Sequence, residues 1–255
     1  VLGNALVDMY AKCGVLNKAK EVLEALPTRN VVTWNALIAG YAHKGEYHES
    51  LDCFQRMQSE GLSPDEVTFL CILKVCGRTR AIDKGINIHI QIGIQGFIEK
   101  NIMVGTALVD MYAKCGALVK AHEVLQDLHV RDVVSWNALI SGYAQYGHES
   151  EAVKCFERLQ LEGLSTNVVT IVCTLKACGN TGVVFKGKQI HTKMVSEDLL
   201  EEENVVNALV NMYVKCGDLI KARQVLEDLP NRNTVSWNTL IAGYAEHEHY
   251  DQALF

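Results

Sequence analysis

The chain has 255 residues, 49% of them hydrophobic and 21% charged, with three prolines and a formal charge of −6. That charge has the wrong sign for a protein gripping nucleic acid mainly through phosphates, although a neutral or basic groove on an acidic body is compatible with it. No uninterrupted apolar run reaches the roughly 18 residues of a membrane span, and the first residues, VLGNALVDMY, lack the charged start and cleavage pattern of a signal peptide.

One unit of about a hundred residues is written three times. RNVVTWNALIAGYAHKG (Arg29 to Gly45) returns as RDVVSWNALISGYAQYG (Arg131 to Gly147) and RNTVSWNTLIAGYAEHE (Arg232 to Glu248). Trp34, Trp136 and Trp237 are the only tryptophans, spaced 102 and 101 residues apart. Repeat position also accounts for the nine cysteines: Cys13, Cys115 and Cys216 share KCG, and Cys53, Cys71 and Cys76 recur as Cys155, Cys173 and Cys178. With no CxxC and no Cys/His quartet at zinc spacing, they read as packing thiols of a reducing compartment.

In chain order, GNALVDMYAKCG puts Leu6, Met9, Tyr10 and Cys13 at helical steps of three and four before Gly14. LNKAKEVLEALP repeats the pattern with Leu16, Ala19, Val22, Leu23 and Leu26 until Pro27 stops it. Two helices and a glycine turn make a hairpin, and its apolar faces require stacked neighbours. TWNALIAGYAHKG follows, with Thr33 as the expected cap, then YHESLDCFQRMQSEG with Leu51, Phe54 and Met57 inward. EVTFLCILKVCG and AIDKGINIHIQIGIQGF form a third pair. Short β-branched runs such as VVTW and VVSW are read as helix starts. The subunits run 1–30, 31–65, 66–101, 102–132, 133–167, 168–202, 203–233 and a partial 234–255, a cycle of short, standard and long. The chain reads as a piece that begins and ends inside repeats, so any targeting segment is expected outside it.

On the first helix of most subunits the fifth residue is small and hydrogen-bonding: Asn4, Asn35, Thr106, Asn137, Asn207 and Asn238. The last residue of the same subunits is also short and polar: Asn30, Asp65, Asp132, Asn167 and Asn233. Asn donates and accepts while ionised Asp only accepts, so such pairs can tell base edges apart. The competing reading is that these are ordinary capping and turn residues.

The cycle resembles the pentatricopeptide repeat (PPR) family in its plant-type PLS subclass, over the whole chain. NALVDMYAKCG is similar to the S motif, VVSWNALISGYAQYG to the P motif, and TFLCILKVCG with its following GxxIH to the L motif. The resemblance implies an all-α, right-handed α-solenoid of helix-turn-helix repeats that binds single-stranded RNA, one nucleotide per repeat. It further implies that Asn35/Asp65 favours uracil, Thr106/Asp132 guanine, and Asn4/Asn30, Asn137/Asn167 and Asn207/Asn233 cytosine over uracil. The predicted core is 5′-C-U-x-G-C-x-C-3′. Asn238 lacks its partner, and the L-type pairs Leu70/Asn101 and Val172/Glu202 are unassigned because an aliphatic residue makes no polar contact.

In this family the second residue sandwiches the base. Here it is Val1, Val32, Val67, Met103, Val134, Val169 and Val235, with Asn204 the exception after Glu197, Asp198, Glu201, Glu202 and Glu203. Lys12, Lys114 and Lys215 share a place that the family turns toward phosphate, and a cation there also complements a helix C-terminus. His89 and His191 recur as structural residues. No phosphate-cradling glycine loop or deaminase signature is present, so no catalytic residue, cofactor or metal site is expected. The resemblance suggests C-to-U editing or other RNA processing in mitochondria or chloroplasts, with editing factors or a C-terminal DYW-type deaminase domain outside this chain. The alternatives are a protein-interaction scaffold of tetratricopeptide type, or a structural subunit of an organellar complex. Self-association through uncapped ends is a further expectation.

Overall fold

In a computed structural model of the chain, residues 2–196, 202–228, 234–249 and 251 are described. They hold helices and no strands. The chain divides into two compact units, residues 1–131 and 132–255.

The first unit contains α1 (Leu2–Lys12), α2 (Leu16–Ala25), α3 (Val31–Lys44), α4 (Tyr47–Ser59), α5 (Glu66–Thr79), α6 (Ile82–Ile94), the single turn α7 (Phe97–Lys100), α8 (Ile102–Lys114) and α9 (Leu118–Asp127). The second contains α10 (Val133–Gln145), α11 (Glu149–Leu161), α12 (Val168–Thr181), α13 (Val184–Ser196), α14 (Glu203–Lys215), α15 (Leu219–Glu227) and α16 (Thr234–Glu246). In each unit the first helix of a hairpin packs on its own second helix and on the first helix of the next hairpin. The rows are α1, α3, α5, α8 in the first unit and α10, α12, α14, α16 in the second. Among the described residues no helix is long and apolar enough to cross a membrane.

VVTW and VVSW start α3 and α10, so β-branched residues here begin helices. Leu51, Phe54 and Met57 are buried on α4, where the spacing puts them. The face expected on α1 is corrected: α1 buries Val7 and Ala11, while Leu6, Met9 and Cys13 are exposed. The matching Leu108, Met111 and Tyr112 of α8, against which α5 and α6 pack, are buried. Cys53, Cys76, Cys155 and Cys178 are buried, and burial pushes these thiols up, Cys155 to about 12.

Trp34 and Trp136 mark a tie between the two helices of a hairpin. Trp34 is completely buried, and its Nε1–H donates to Glu60 at 3.1 Å, just past the end of α4. Arg29 pairs with the same carboxylate, and Arg56 lies over the indole at 5.5 Å. Trp136 repeats the tie with Glu162 at 2.9 Å. Equally repeated are His89 Nδ1 against Tyr112 OH and His191 Nδ1 against Tyr213 OH, both at 2.9 Å with the rings edge-on.

Close packing of the first helices needs glycine. A Cβ on Gly179 of α12 would stand 3.2 Å from the Met212 Cα of α14, a backbone atom that cannot yield alone. Gly179→Ala is therefore expected to destabilise the chain by about 1–3 kcal/mol through overpacking. Gly93→Ala, on a helix with nothing within 4 Å, should be neutral or stabilising by up to about 1 kcal/mol. Urea unfolding of the two variants side by side checks both.

Burial, reinforced by Lys120 and opposed by Asp127, holds His89 below its ordinary value; burial and Lys221, against Asp228, do the same for His191. The unfolded chain thus takes up protons that the folded chain resists, and stability falls as pH drops through about 6.5. The unfolding midpoint should be lower at about pH 5.5 than at about pH 7.5, and less so in a His89→Asn, His191→Asn double variant.

Candidate nucleic-acid interface

The polar residues that close one hairpin begin the next. Asn30, Asp65, Asp132 and Asn167 are the N-caps of α3, α5, α10 and α12, and in each the side-chain oxygen takes the backbone N–H of the helix's third residue. That residue, Thr33, Thr68, Ser135 or Thr170, returns a bond to the cap's own N–H through its hydroxyl. The cap expected at Thr33 is therefore Asn30, with Thr33 as its reciprocal partner.

The fifth residues meet these caps across the hairpin. In the first unit Asn35 Nδ2 donates to Asp65 Oδ1 at 2.8 Å, and Asn4 Nδ2 reaches Asn30 Oδ1 at 3.4 Å. In the second unit Asn137 Nδ2 donates to Asn167 Oδ1 at 2.9 Å. Asn35 and Asn137 are only 7% and 8% exposed, because their amides are drawn into the cap. Thr106 and Asp132 fall in different units. Asn207 lies in the second unit, its partner Asn233 is outside the described residues, and Asn238 is exposed.

The caps' orientation fixes what each pair has left to offer. Asp65 Oδ1 receives the Thr68 backbone N–H and the Asn35 amide and lies 2.8 Å from the Thr68 hydroxyl oxygen, which leaves Oδ2 outside these contacts. Asn167 Oδ1 is committed in the same way, so its other atom, Nδ2, is a donor. At matched places one pair offers an acceptor and the other a donor. Burial pushes the Asp65 carboxyl up, but the bonds from Thr68 and Asn35 prevail and hold it below its ordinary 3.8.

The second residues are neither buried nor packed away: Val32, Val67, Met103, Val134, Val169 and Val235 are 52–63% exposed. Val1 lies outside the described residues. Between α12, α14 and α16 a groove of about 540 Å³ brings together Val169, Val235, Asn204, Val172, Asn207 and Lys215. Of the acidic run before Asn204, Glu197, Asp198 and Glu201 are outside the described residues, and Glu202 and Glu203 are exposed.

The three lysines differ in their pairing. Lys12 bonds Asp8 at 2.7 Å and Lys114 bonds Asp110, each one turn back. At the same place before Lys215 the chain has Asn211, and Lys215 instead donates to Asn180 of α12 at 2.6 Å. The reciprocal hydroxyls and the Asn180 contact are what sequence reasoning missed. The signal of the hydroxyls is an Asn or Asp followed three residues later by Thr or Ser, the capping box in reverse.

Hairpins stacked through shared caps define a helical-repeat protein. The PPR repeat family matches residues 29–78 and 131–180, and the PPR repeat matches residues 4–31, 106–133, 205–234 and 235–255. The chain belongs to the PPR repeat family. It is 41% identical over 245 residues to the mitochondrial pentatricopeptide repeat-containing protein At3g09040 of Arabidopsis thaliana, covering 96% of this chain and 24% of that protein. To the chloroplastic At4g18520 of the same plant it is 40% identical over 253 residues, 99% of this chain and 41% of that protein. The chain thus spans less than half the length of these relatives. Its fold matches PPR10 crystallised in complex with an 18-nt psaJ RNA element, with a TM-score of 0.78 at 20% identity over 98% of this chain and 38% of that one. The all-α solenoid of stacked hairpins expected from the sequence is the fold found.

Asp65 carries a stability contribution with a definite sign. A carboxyl held below its unfolded value stabilises the fold above about pH 4, and this is lost as pH falls through the depressed value. Asn caps as well as Asp, so Asp65→Asn is expected to leave stability near neutral pH within about 1 kcal/mol while flattening the acid limb of the unfolding curve. Urea midpoints from about pH 7 down to about pH 3 read this directly.

Proposed function

We propose that the chain is a sequence-specific reader of single-stranded RNA, a PLS-type array that takes one nucleotide per hairpin. The observation that carries this reading is the conjunction, in the hairpins of Asn35 and Asn137, of an exposed aliphatic second residue with a fifth-residue and cap pair whose second cap atom differs in kind, a carboxylate oxygen in one and an amide nitrogen in the other. A flat base slid between successive second residues would present its edge to the pair. Asp65 Oδ2, an acceptor, suits the N3–H of uracil, and Asn167 Nδ2, a donor, suits the N3 lone pair of cytosine. Exposure of the second residues favours this over packing, since a core valine would be buried.

The subunits 1–30, 102–132 and 203–233 act in this reading as S repeats, 31–65, 133–167 and 234–255 as P, and 66–101 and 168–202 as L. The target is 5′-C-U-x-G-C-x-C-3′, with Lys12, Lys114 and Lys215 near the backbone. Because two of these lysines are already paired with aspartates and the chain is acidic, most of the affinity comes from the bases, and binding depends only weakly on salt. The relatives are named as mitochondrial and chloroplastic proteins, which supports an organellar role for this chain too. Specifying sites for C-to-U editing or other RNA processing fits a binding module whose chemistry is supplied by another domain or partner.

Fluorescence anisotropy with labelled RNA containing C-U-N-G-C-N-C, against a scrambled control at fixed near-physiological salt, tests the reading. Selective binding is expected, and equal or absent binding returns the chain to the scaffold alternative. Thr106→Asn should move the fourth nucleotide from guanine toward uracil by about 1–3 kcal/mol, and an unchanged preference would make Thr106 a mere helix-start residue.

A further inference from the structure

A third side chain joins each well-formed pair. Thr68 Oγ1 lies 2.6 Å from Asn35 Oδ1 and 2.8 Å from Asp65 Oδ1. Thr170 Oγ1 bonds Asn137 Oδ1 and sits 2.9 Å from Asn167 Oδ1, and Ser236 Oγ bonds Asn207 Oδ1. These three residues are buried. A hydroxyl has one proton to give, and the nearer acceptor is in each threonine the carbonyl of the fifth-residue asparagine. That bond settles the direction of the amide. Turned over, the asparagine would set its carbonyl against the cap oxygen, which the helix N–H already holds in place, and acceptor would face acceptor.

Two internal comparisons separate this from capping. At the first hairpin the Thr33 hydroxyl bonds Asn30 O and Oδ1, and there the Asn4 to Asn30 contact is stretched to 3.4 Å. Where the fifth residue is aliphatic, at Leu70 and Val172, the third residue of the next helix is aliphatic too, Val104 and Val205, both buried. Asn101 nevertheless caps α8 without any hydroxyl beside it. The hydroxyl thus accompanies the polar fifth residue and not the cap.

We infer that the hydroxyl at the third residue of a helix is a positioning residue for the base read by the pair before it: Thr68 for Asn35/Asp65, Thr170 for Asn137/Asn167 and Ser236 for Asn207. This rests on the base-reading assignment proposed above. The residue touches no base. It holds the asparagine amide in one orientation so that the pair shows one pattern of donors and acceptors.

The test compares the whole chain with its Asn167→Asp, Thr170→Val and Thr170→Ser variants on RNAs that differ only in cytosine or uracil at the fifth nucleotide. Wild type should prefer cytosine by at least about fivefold and Asn167→Asp should prefer uracil. Thr170→Val, isosteric but unable to donate, should bring the ratio close to one, and Thr170→Ser should keep it. If Asn167→Asp shifts the preference and Thr170→Val does not, the hydroxyl is only part of the cap and the inference fails alone. A preference that Asn167→Asp leaves unmoved removes the base-reading assignment and this inference with it. Circular dichroism confirms that each variant is folded. Thr68→Val, read against uracil at the second nucleotide, supplies the same comparison should Thr170→Val not fold, and a folded Thr170→Ser that loses the preference also overturns it.

Discussion

Everything at the hairpin junctions follows from one hydrogen bond, the one a cap's Oδ1 accepts from the N–H of the third helical residue. Four such bonds, at Asn30, Asp65, Asp132 and Asn167, satisfy helix donors that would otherwise have no partner. Because the oxygen is committed to the helix, the side chain cannot turn over, and the atom left to it is determined by residue type. In the proposed function, capping and reading are two uses of one geometry. The same bond that starts α5 makes Asp65 an acceptor, and the one that starts α12 makes Asn167 a donor.

The acidic balance of the chain becomes intelligible in this light. A protein that bound by neutralising phosphates would need unpaired cations along a groove, whereas Lys12 and Lys114 are each held by an aspartate one turn back. What the surface does offer is a series of half-exposed aliphatic side chains at fixed intervals along each unit. Aliphatic surface against a base contributes through contact and desolvation and is indifferent to salt. Lys215, with Asn211 one turn back where its counterparts have aspartate, bonds Asn180 instead, and it lines the groove of the second unit.

Much of the fold was legible because a repeat states its pattern several times. Periodicity put Leu51, Phe54 and Met57 in the core, where they are, and the threefold recurrence of the tryptophan stretch marked where helices begin. What failed did so because periodicity knows nothing of neighbours. Leu6, Met9 and Tyr10 recur as Leu108, Met111 and Tyr112 of α8, whose burial comes from the helices packed against them and not from spacing alone. Propensity alone makes Thr33 the cap, and only geometry shows that Asn30, three residues earlier, faces the helix N–H groups. The contact of the Thr68 hydroxyl with Asn35 joins residues 33 positions apart, and no local pattern predicts it.

The strongest argument for the proposed role of the polar fifth residues comes from one of the two hairpins that lack one, the hairpin of Leu70. Asn101 caps α8 with its side chain bonded to Met103 and Val104 N–H, while the fifth residue of its own hairpin is Leu70. The cap therefore forms without an asparagine beside it. If Asn35 and Asn137 existed to complete the cap, Leu70 would leave Asn101 unable to serve, and it does not. Burying an asparagine amide costs free energy unless every polar atom finds a partner, and a leucine in the same place avoids the problem altogether. At Asn35 and Asn137 that cost is met by the cap and a buried hydroxyl, an arrangement that supports the proposed reading role of those amides.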